Sequence, residues 1–107
     1  MTLDRDARAR EILAERLRQA GHPARLALLA ALGQEPGACV CELARQVGLD
    51  QPTTSHHLGV LRHAGMVSAH RDGPRVAYRR VEAVTSAVVT AMTALLLPTS
   101  GRTEDEA

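Results

Sequence analysis

Aromatic side chains are nearly missing from this sequence: it has no Trp, no Phe and one Tyr, Tyr78, in 107 residues. A core built on rings is therefore excluded. With hydrophobic residues at 45%, the core must come from Leu, Val and Ala, which suits packed helices with small side chains. Lysine is absent too. All 13 basic residues are Arg, which says more about coding bias than about mechanism. No apolar run approaches the length of a membrane span, and no signal-peptide pattern opens the chain. The expectation is a cytoplasmic protein with no membrane partner. Only two cysteines occur, Cys39 and Cys41, and in a reducing compartment they are expected as thiols rather than a structural disulfide.

What the chain does have is a stretch that organises the rest, residues 42–64, ELARQVGLDQPTTSHHLGVLRHA. It reads as two short helices broken at Gly48. Leu43, Ala44 and Val47 form the stripe of the first. Thr54, Leu58 and Leu61 form that of the second. Asp50 stands where an N-cap belongs, and Pro52 falls in the first turn, where its missing N–H costs nothing. A turn this short with a glycine is the length a helix-turn-helix needs.

The outer face of the second helix carries Gln51, Thr53, Ser55, His56, Gly59, Arg62 and His63. A helix that merely faces water usually carries better helix formers, Glu, Lys and Ala. Short hydrogen-bonding side chains can instead reach base edges and phosphates without standing the helix off from a groove. This face therefore reads as a DNA recognition helix. The blander alternative is a core helix with a polar back.

The formal net charge of +1 does not announce nucleic acid, but its distribution is informative. Residues 51–80 hold five Arg against Asp72 alone, a local charge of +4, whereas 102–107 carry −2. Positive charge collects where a DNA-facing surface would need it.

The periodicity predicts helices over residues 5–20, 22–33, 38–48, 51–64 and 82–97, with a loop at 34–37. Pro23 and Gly33 bound the second helix, whose Leu26, Leu28, Leu29 and Leu32 place it in the core. Over 66–81 the period changes, and the turn Asp72-Gly73-Pro74 predicts a β-hairpin studded with Arg71, Arg75, Arg79 and Arg80. Directly after a recognition helix, a basic hairpin is a wing that can set Arg on the DNA backbone or in the minor groove. The alternative is an exposed edge protected by charge. Val84, Val88, Ala91 and Leu95, broadened by Ala87, Met92 and Leu96, give the last helix more apolar surface than such a core can cover. With the first helix it is expected to form a dimer interface. One winged helix-turn-helix domain over 1–98 and a disordered tail over 99–107 follow, mainly α with a small β-hairpin, in the order α-α-α-α-β-β-α.

The run LDQPTTSHHLGVLRHAGMV, residues 49–67, with GPRVAYRRV, residues 73–81, resembles the ArsR/SmtB family of metal-responsive repressors. CVCELA, residues 39–44, looks like that family's arsenic and heavy-metal box, and the resemblance covers roughly residues 8–97. It implies a homodimer that binds double-stranded, palindromic operator DNA and represses until a metal binds. Gln51, Thr53, Ser55 and His56 match its DNA-facing positions, Arg62 a phosphate contact, and Arg75 and Arg79 the wing. His57, second in the Ser-His-His-Leu run, is expected to be structural, bonded to a neighbouring backbone group.

The same resemblance makes Cys39 and Cys41 the metal site. Thiolates choose soft ions: arsenite, antimonite, Cd(II), Pb(II), Zn(II) or Cu(I). On an intact helix residues i and i+2 lie about 200° apart. Both could ligate one ion only if the first turn unwinds or never forms. A helix N-terminus should help both thiols deprotonate. The box often has a third cysteine, which this chain lacks, position 44 being Ala. A water, a partner's thiol, His22 or Glu42 could complete the site, or an organoarsenical could bring its own carbon. The last helix lacks the Asp/His/Glu set that some family members use for Zn(II). A thiol-redox or persulfide sensor of the same fold is the alternative, since two thiols can also be read by oxidation. An intramolecular Cys-x-Cys disulfide would close a strained small ring, which ranks that alternative second. An enzyme is not expected, nor a catalytic cofactor: no oxyanion-type glycine loop adjoins the cysteines.

Overall fold

Leu28, Leu29 and Leu32 are buried on one short helix, and the other elements pack around it. The computed structural model describes residues 3–96. It contains α1 (Leu3–Ala20), α2 (Pro23–Gln34), α3 (Val40–Val47), α4 (Gln51–His63), β1 (Val67–Asp72), β2 (Arg75–Arg80) and α5 (Glu82–Leu96). The predicted element order is realised. The tail expected to be disordered, 99–107, lies outside the described residues, of which no helix is long and apolar enough to cross a membrane.

The α2 leucines join Leu43 of α3, Leu58 and Leu61 of α4, and Met66 and Val67 at the start of the hairpin in one buried cluster. Each fully buried Leu contributes about 1.5–3 kcal/mol of transfer free energy. This cluster fixes the angle between the helix pair and the hairpin. Local signals set its edges. Gly48 closes α3 in the left-handed conformation, φ 75°, and turns the chain toward α4. The Asp50 carboxylate accepts the Thr53 N–H at 2.7 Å and starts α4. The buried Thr54 donates its hydroxyl back to Asp50 O at 2.8 Å, so its polar atom is satisfied.

In the hairpin, Val67 pairs with Arg80 and Asp72 with Arg75, leaving a two-residue loop. Gly73 there has φ 65°. Pro74 cannot take a positive φ, so the positive–negative sequence is that of a II′ turn, which suits the strands' twist. The hairpin has a third, short neighbour that the sequence does not announce. Ala38 bridges to Tyr78: Gly37 N–H donates to Tyr78 O at 2.8 Å and Tyr78 N–H to Ala38 O at 3.0 Å.

That bridge shortens α3, which starts at Val40 rather than at residue 38. Ala38, expected in the helix, is committed to the sheet. α2 also starts one residue late: His22 is its N-cap, with Nδ1 accepting the Ala24 N–H at 3.1 Å.

α1 and α5 are only partly covered. Ile12, Leu13 and Leu17 of α1 are about half exposed, and Leu95 and Leu96 are 83% exposed. Between them lies an apolar groove of about 370 Å³, lined by Leu17, Leu26, Val88, Ala91, Met92 and Leu95 among others.

Candidate nucleic-acid interface and thiol site

Helix α4 divides as its sequence pattern requires. Thr54, His57, Leu58 and Leu61 are buried, whereas Gln51, Thr53, Ser55, His56 and Arg62 are exposed. The five exposed side chains share the solvent side of one helix that α2 and α3 hold in place. Arg79 is exposed on β2. Arg75 and Arg80 of the hairpin are not equivalent to it. Arg80 folds inward, with its side chain 12% exposed. Its Nη1 donates to Leu29 O at 3.3 Å, and Nε and Nη2 hold the Glu82 carboxylate at 3.0 Å each. It locks β2 to α2 and to the start of α5. Its guanidinium packs over Gly33, where an added Cβ would lie 2.7 Å from Nη1.

Arg75 is drawn back from the wing tip toward α3. Its Nη2 donates to Gly37 O at 2.9 Å and to Glu42 Oε1 at 3.2 Å. The same Glu42 oxygen accepts the Cys39 N–H at 3.0 Å. Glu42 and Cys39 form a capping box with sulfur in place of a hydroxyl. The Cys39 N–H and the Arg75 charge together hold the Glu42 carboxyl below its ordinary range.

The thiols sit where this box begins. Cys39 is the N-cap of α3, with extended backbone at φ −91° and ψ 170°, and Cys41 lies in the first turn. The expected divergence of the sulfurs therefore does not occur. Only one of the two residues is helical, and Sγ of Cys39 lies 2.7 Å from Sγ of Cys41. No unwinding is needed to bring them together. Two sulfurs on one tetrahedral ion, at about 2.3 Å each, stand ~3.8 Å apart. The pair can therefore open onto one ion by side-chain rotation, with the backbone in place.

The two thiols are not equal acids, contrary to the expectation that both deprotonate readily. The sulfur–sulfur hydrogen bond, which either thiol can donate, lowers the Cys39 thiol below its usual value, with help from the Glu42 and Cys41 backbone N–H groups, and raises that of Cys41. Cys41 is exposed and Cys39 partly so, leaving both reachable.

Among the described residues, no three His, Cys, Asp or Glu side chains gather as a metal site. His22 is occupied elsewhere, capping α2 with its ring centroid 4.6 Å from that of His57. Glu42 is engaged by Cys39 N–H and Arg75. His57 is structural, but its partner is a side chain rather than the expected backbone group: Nδ1 accepts from Arg25 Nε at 3.2 Å. Arg25 Nη1 also donates to Gln19 O at 2.9 Å, which ties α1, α2 and α4 together.

A helix-turn-helix whose second helix is polar outside, followed by a hairpin, is a winged helix-turn-helix. This is the architecture of a DNA-binding transcriptional regulator and not of an enzyme. The chain belongs to the arsR family of bacterial regulatory proteins. The family description "Bacterial regulatory protein, arsR family" matches residues 22–69. The biofilm growth-associated repressor of Xylella fastidiosa is 40% identical over 89 residues, 83% of this chain and 76% of that protein. The crystal structure of the transcriptional repressor BigR from Xylella fastidiosa superposes with a TM-score of 0.76 at 37% identity, covering 92% of this chain and all of that one. The homodimeric winged helix-turn-helix domain of Mb0332 from Mycobacterium bovis gives 0.77 at 27% identity, over 88% of this chain and 87% of that one. The antimony-specific transcriptional repressor AntR gives 0.74 at 28% identity, over 90% and 86%.

Proposed function

We propose that this protein is a repressor that binds palindromic operator DNA as a homodimer and lets go when a thiophilic ion is held by Cys39 and Cys41. Arsenite or antimonite is the favoured inducer class, with Cd(II), Pb(II) or an organoarsenical as further members. The observation that carries this is the pair of sulfurs 2.7 Å apart at the N-cap of α3, the first helix of the DNA-binding pair. Soft ions select such a pair, and Cys39 already leans toward the thiolate that binds them. AntR, similar to this chain over most of its length, is described as antimony-specific.

Gln51, Thr53, Ser55 and His56 would meet base edges, and Arg62 and Arg79 the phosphates. A homodimer would bury the exposed apolar side chains of α1 and α5 and set two recognition helices to face successive major grooves about 34 Å apart. The structure of Mb0332 is described as homodimeric. With no third protein ligand gathered among the described residues, a monosubstituted arsenical or an ion keeping a small exogenous ligand suits the site.

The sulfur separation favours one other reading, oxidation of the pair by peroxide or a persulfide, with the same consequence for DNA. Close approach in the resting state weakens the objection that the ring is too strained to form. Operator release is measured across arsenite, antimonite, Cd(II), Pb(II) and Zn(II), then peroxide and persulfide, with intact mass read at each endpoint. The proposed function requires release with a retained metalloid or metal. Release only with loss of two hydrogens or gain of sulfur selects the second reading. No release under any condition rejects both.

A further inference from the structure

Cys39 is a junction. The residue before it, Ala38, belongs to the sheet through Tyr78, and the residue after it, Val40, opens α3. A change at this residue therefore meets the wing before it meets the recognition helix. Glu42 connects the same elements a second time. One carboxylate oxygen accepts both the Cys39 N–H at 3.0 Å and Arg75 Nη2 at 3.2 Å. Arg75 in turn holds Gly37 O at 2.9 Å, two residues before the thiol. By contrast, no side-chain hydrogen bond of the described residues joins the cysteines or Glu42 to α4.

We infer that the thiol pair controls DNA through the wing, and that Arg75 is the positioning residue that reads the state of the thiols by way of Glu42. This rests on the proposed thiol-controlled release.

In the unloaded protein, Glu42 caps the cysteine backbone and tethers the wing with the same atom. Ligation engages both sulfurs and removes the S–H···S bond and the cap that the Cys39 sulfur gives the Glu42 N–H. The capping box opens from its sulfur side, and the Cys39 N–H no longer matches Glu42 Oε1. Glu42 follows, and Arg75 loses its anchor. The hairpin keeps the Arg80 lock on α2 but loses one of its ties to the segment before α3, so the Tyr78–Ala38 pairing loosens and Arg79 beside it is no longer held in place. The carboxylate oxygen shared by two donors is the sensitive point, because a change in its geometry to one donor changes its geometry to the other. The exposed Arg75–Glu42 ion pair carries little stability. It can therefore serve as a tether that parts without unfolding the domain.

The test uses the full chain, phenylarsine oxide as a dithiol probe, and amide hydrogen exchange of the hairpin beside operator affinity. Wild type, Arg75→Ala and Glu42→Ala are compared, with probe stoichiometry read by intact mass. In wild type, the bound probe should speed exchange at the Tyr78 amide about tenfold and weaken operator binding by a similar factor. In both variants the wing should already exchange fast. The probe should bind one per chain yet change wing exchange and operator affinity less than about twofold. A bound probe that leaves wild-type wing exchange unchanged overturns the inference, as does a variant that responds fully. If the wing responds but the operator is retained, thiol-controlled release fails while the wing coupling stands. If the probe does not bind, both fall.

Discussion

Arg25 Nε donates to His57 Nδ1 across 3.2 Å, joining α2 to the inner side of the recognition helix. The bond needs an unprotonated Nδ1, so the ring is neutral with its proton on Nε2. Burial depresses the His57 pKa below 6.5, and the neighbouring His22, Arg25 and His56 add to the effect. The native state thus binds fewer protons than the unfolded chain. The stabilisation is complete above about pH 6.5 and is lost as pH falls from there through the lowered native value. Urea midpoints at about pH 7.5 and about pH 5.5 should show a larger acid-side drop for wild type than for His57→Gln. Equal drops would remove His57 from this role.

Unequal acidity within the thiol pair makes a second prediction. The largest cause lowering Cys39 is the hydrogen bond with Cys41, and the largest cause raising Cys41 is that with Cys39. Ultraviolet thiolate absorbance against pH should place the midpoint of Cys39 higher in Cys41→Ala than in wild type. That of Cys41 should fall in Cys39→Ala. Midpoints that do not move would mean the sulfurs are apart in solution.

Base reading and phosphate contact on α4 are separable. Arg62→Ala should weaken operator binding across all sequences and reduce the salt slope by about 2, one contact from each protomer. Gln51→Ala should cost about 1–3 kcal/mol on the operator and relax preference at one base pair, with the slope unchanged. Fluorescence anisotropy over a salt series checks both.

The apolar face of α1 and α5 predicts association. Leu13 is 55% exposed within the single chain, so Leu13→Glu should leave the fold intact. Sedimentation should show wild type as a dimer and this variant as a monomer, with operator affinity reduced about a hundredfold or more as the second half-site contact is lost. A dimer that survives Leu13→Glu together with Leu95→Glu would place the interface elsewhere.

The element order, the core leucines and the polar outer face of α4 were legible because periodicity and caps such as Asp50 and Gly48 act locally. The start of α3 was not. Residue 38 has helical neighbours in sequence, but its backbone pairs with Tyr78, forty residues on, and periodicity carries no record of that bridge. The thiols follow from that start: a helix including Cys39 would separate the sulfurs, whereas the extended N-cap converges them. One local sign was there, because Cys39 and Glu42 have capping-box spacing with sulfur standing for the usual hydroxyl. The wing arginines show the same limit. Sequence makes Arg75, Arg79 and Arg80 alike, and only tertiary partners distinguish the tether, the exposed residue and the lock. His57 was legible as structural, but its partner Arg25 lies on another helix.

Whether the converged sulfurs of Cys39 and Cys41 govern DNA affinity is decided by one paired titration. Operator affinity is measured with and without saturating arsenite, for wild type and for the Cys39→Ser, Cys41→Ser double variant. Wild type should lose affinity by about tenfold or more, while the double variant binds operator but changes less than about twofold. Equal release from both proteins would contradict control by the sulfurs.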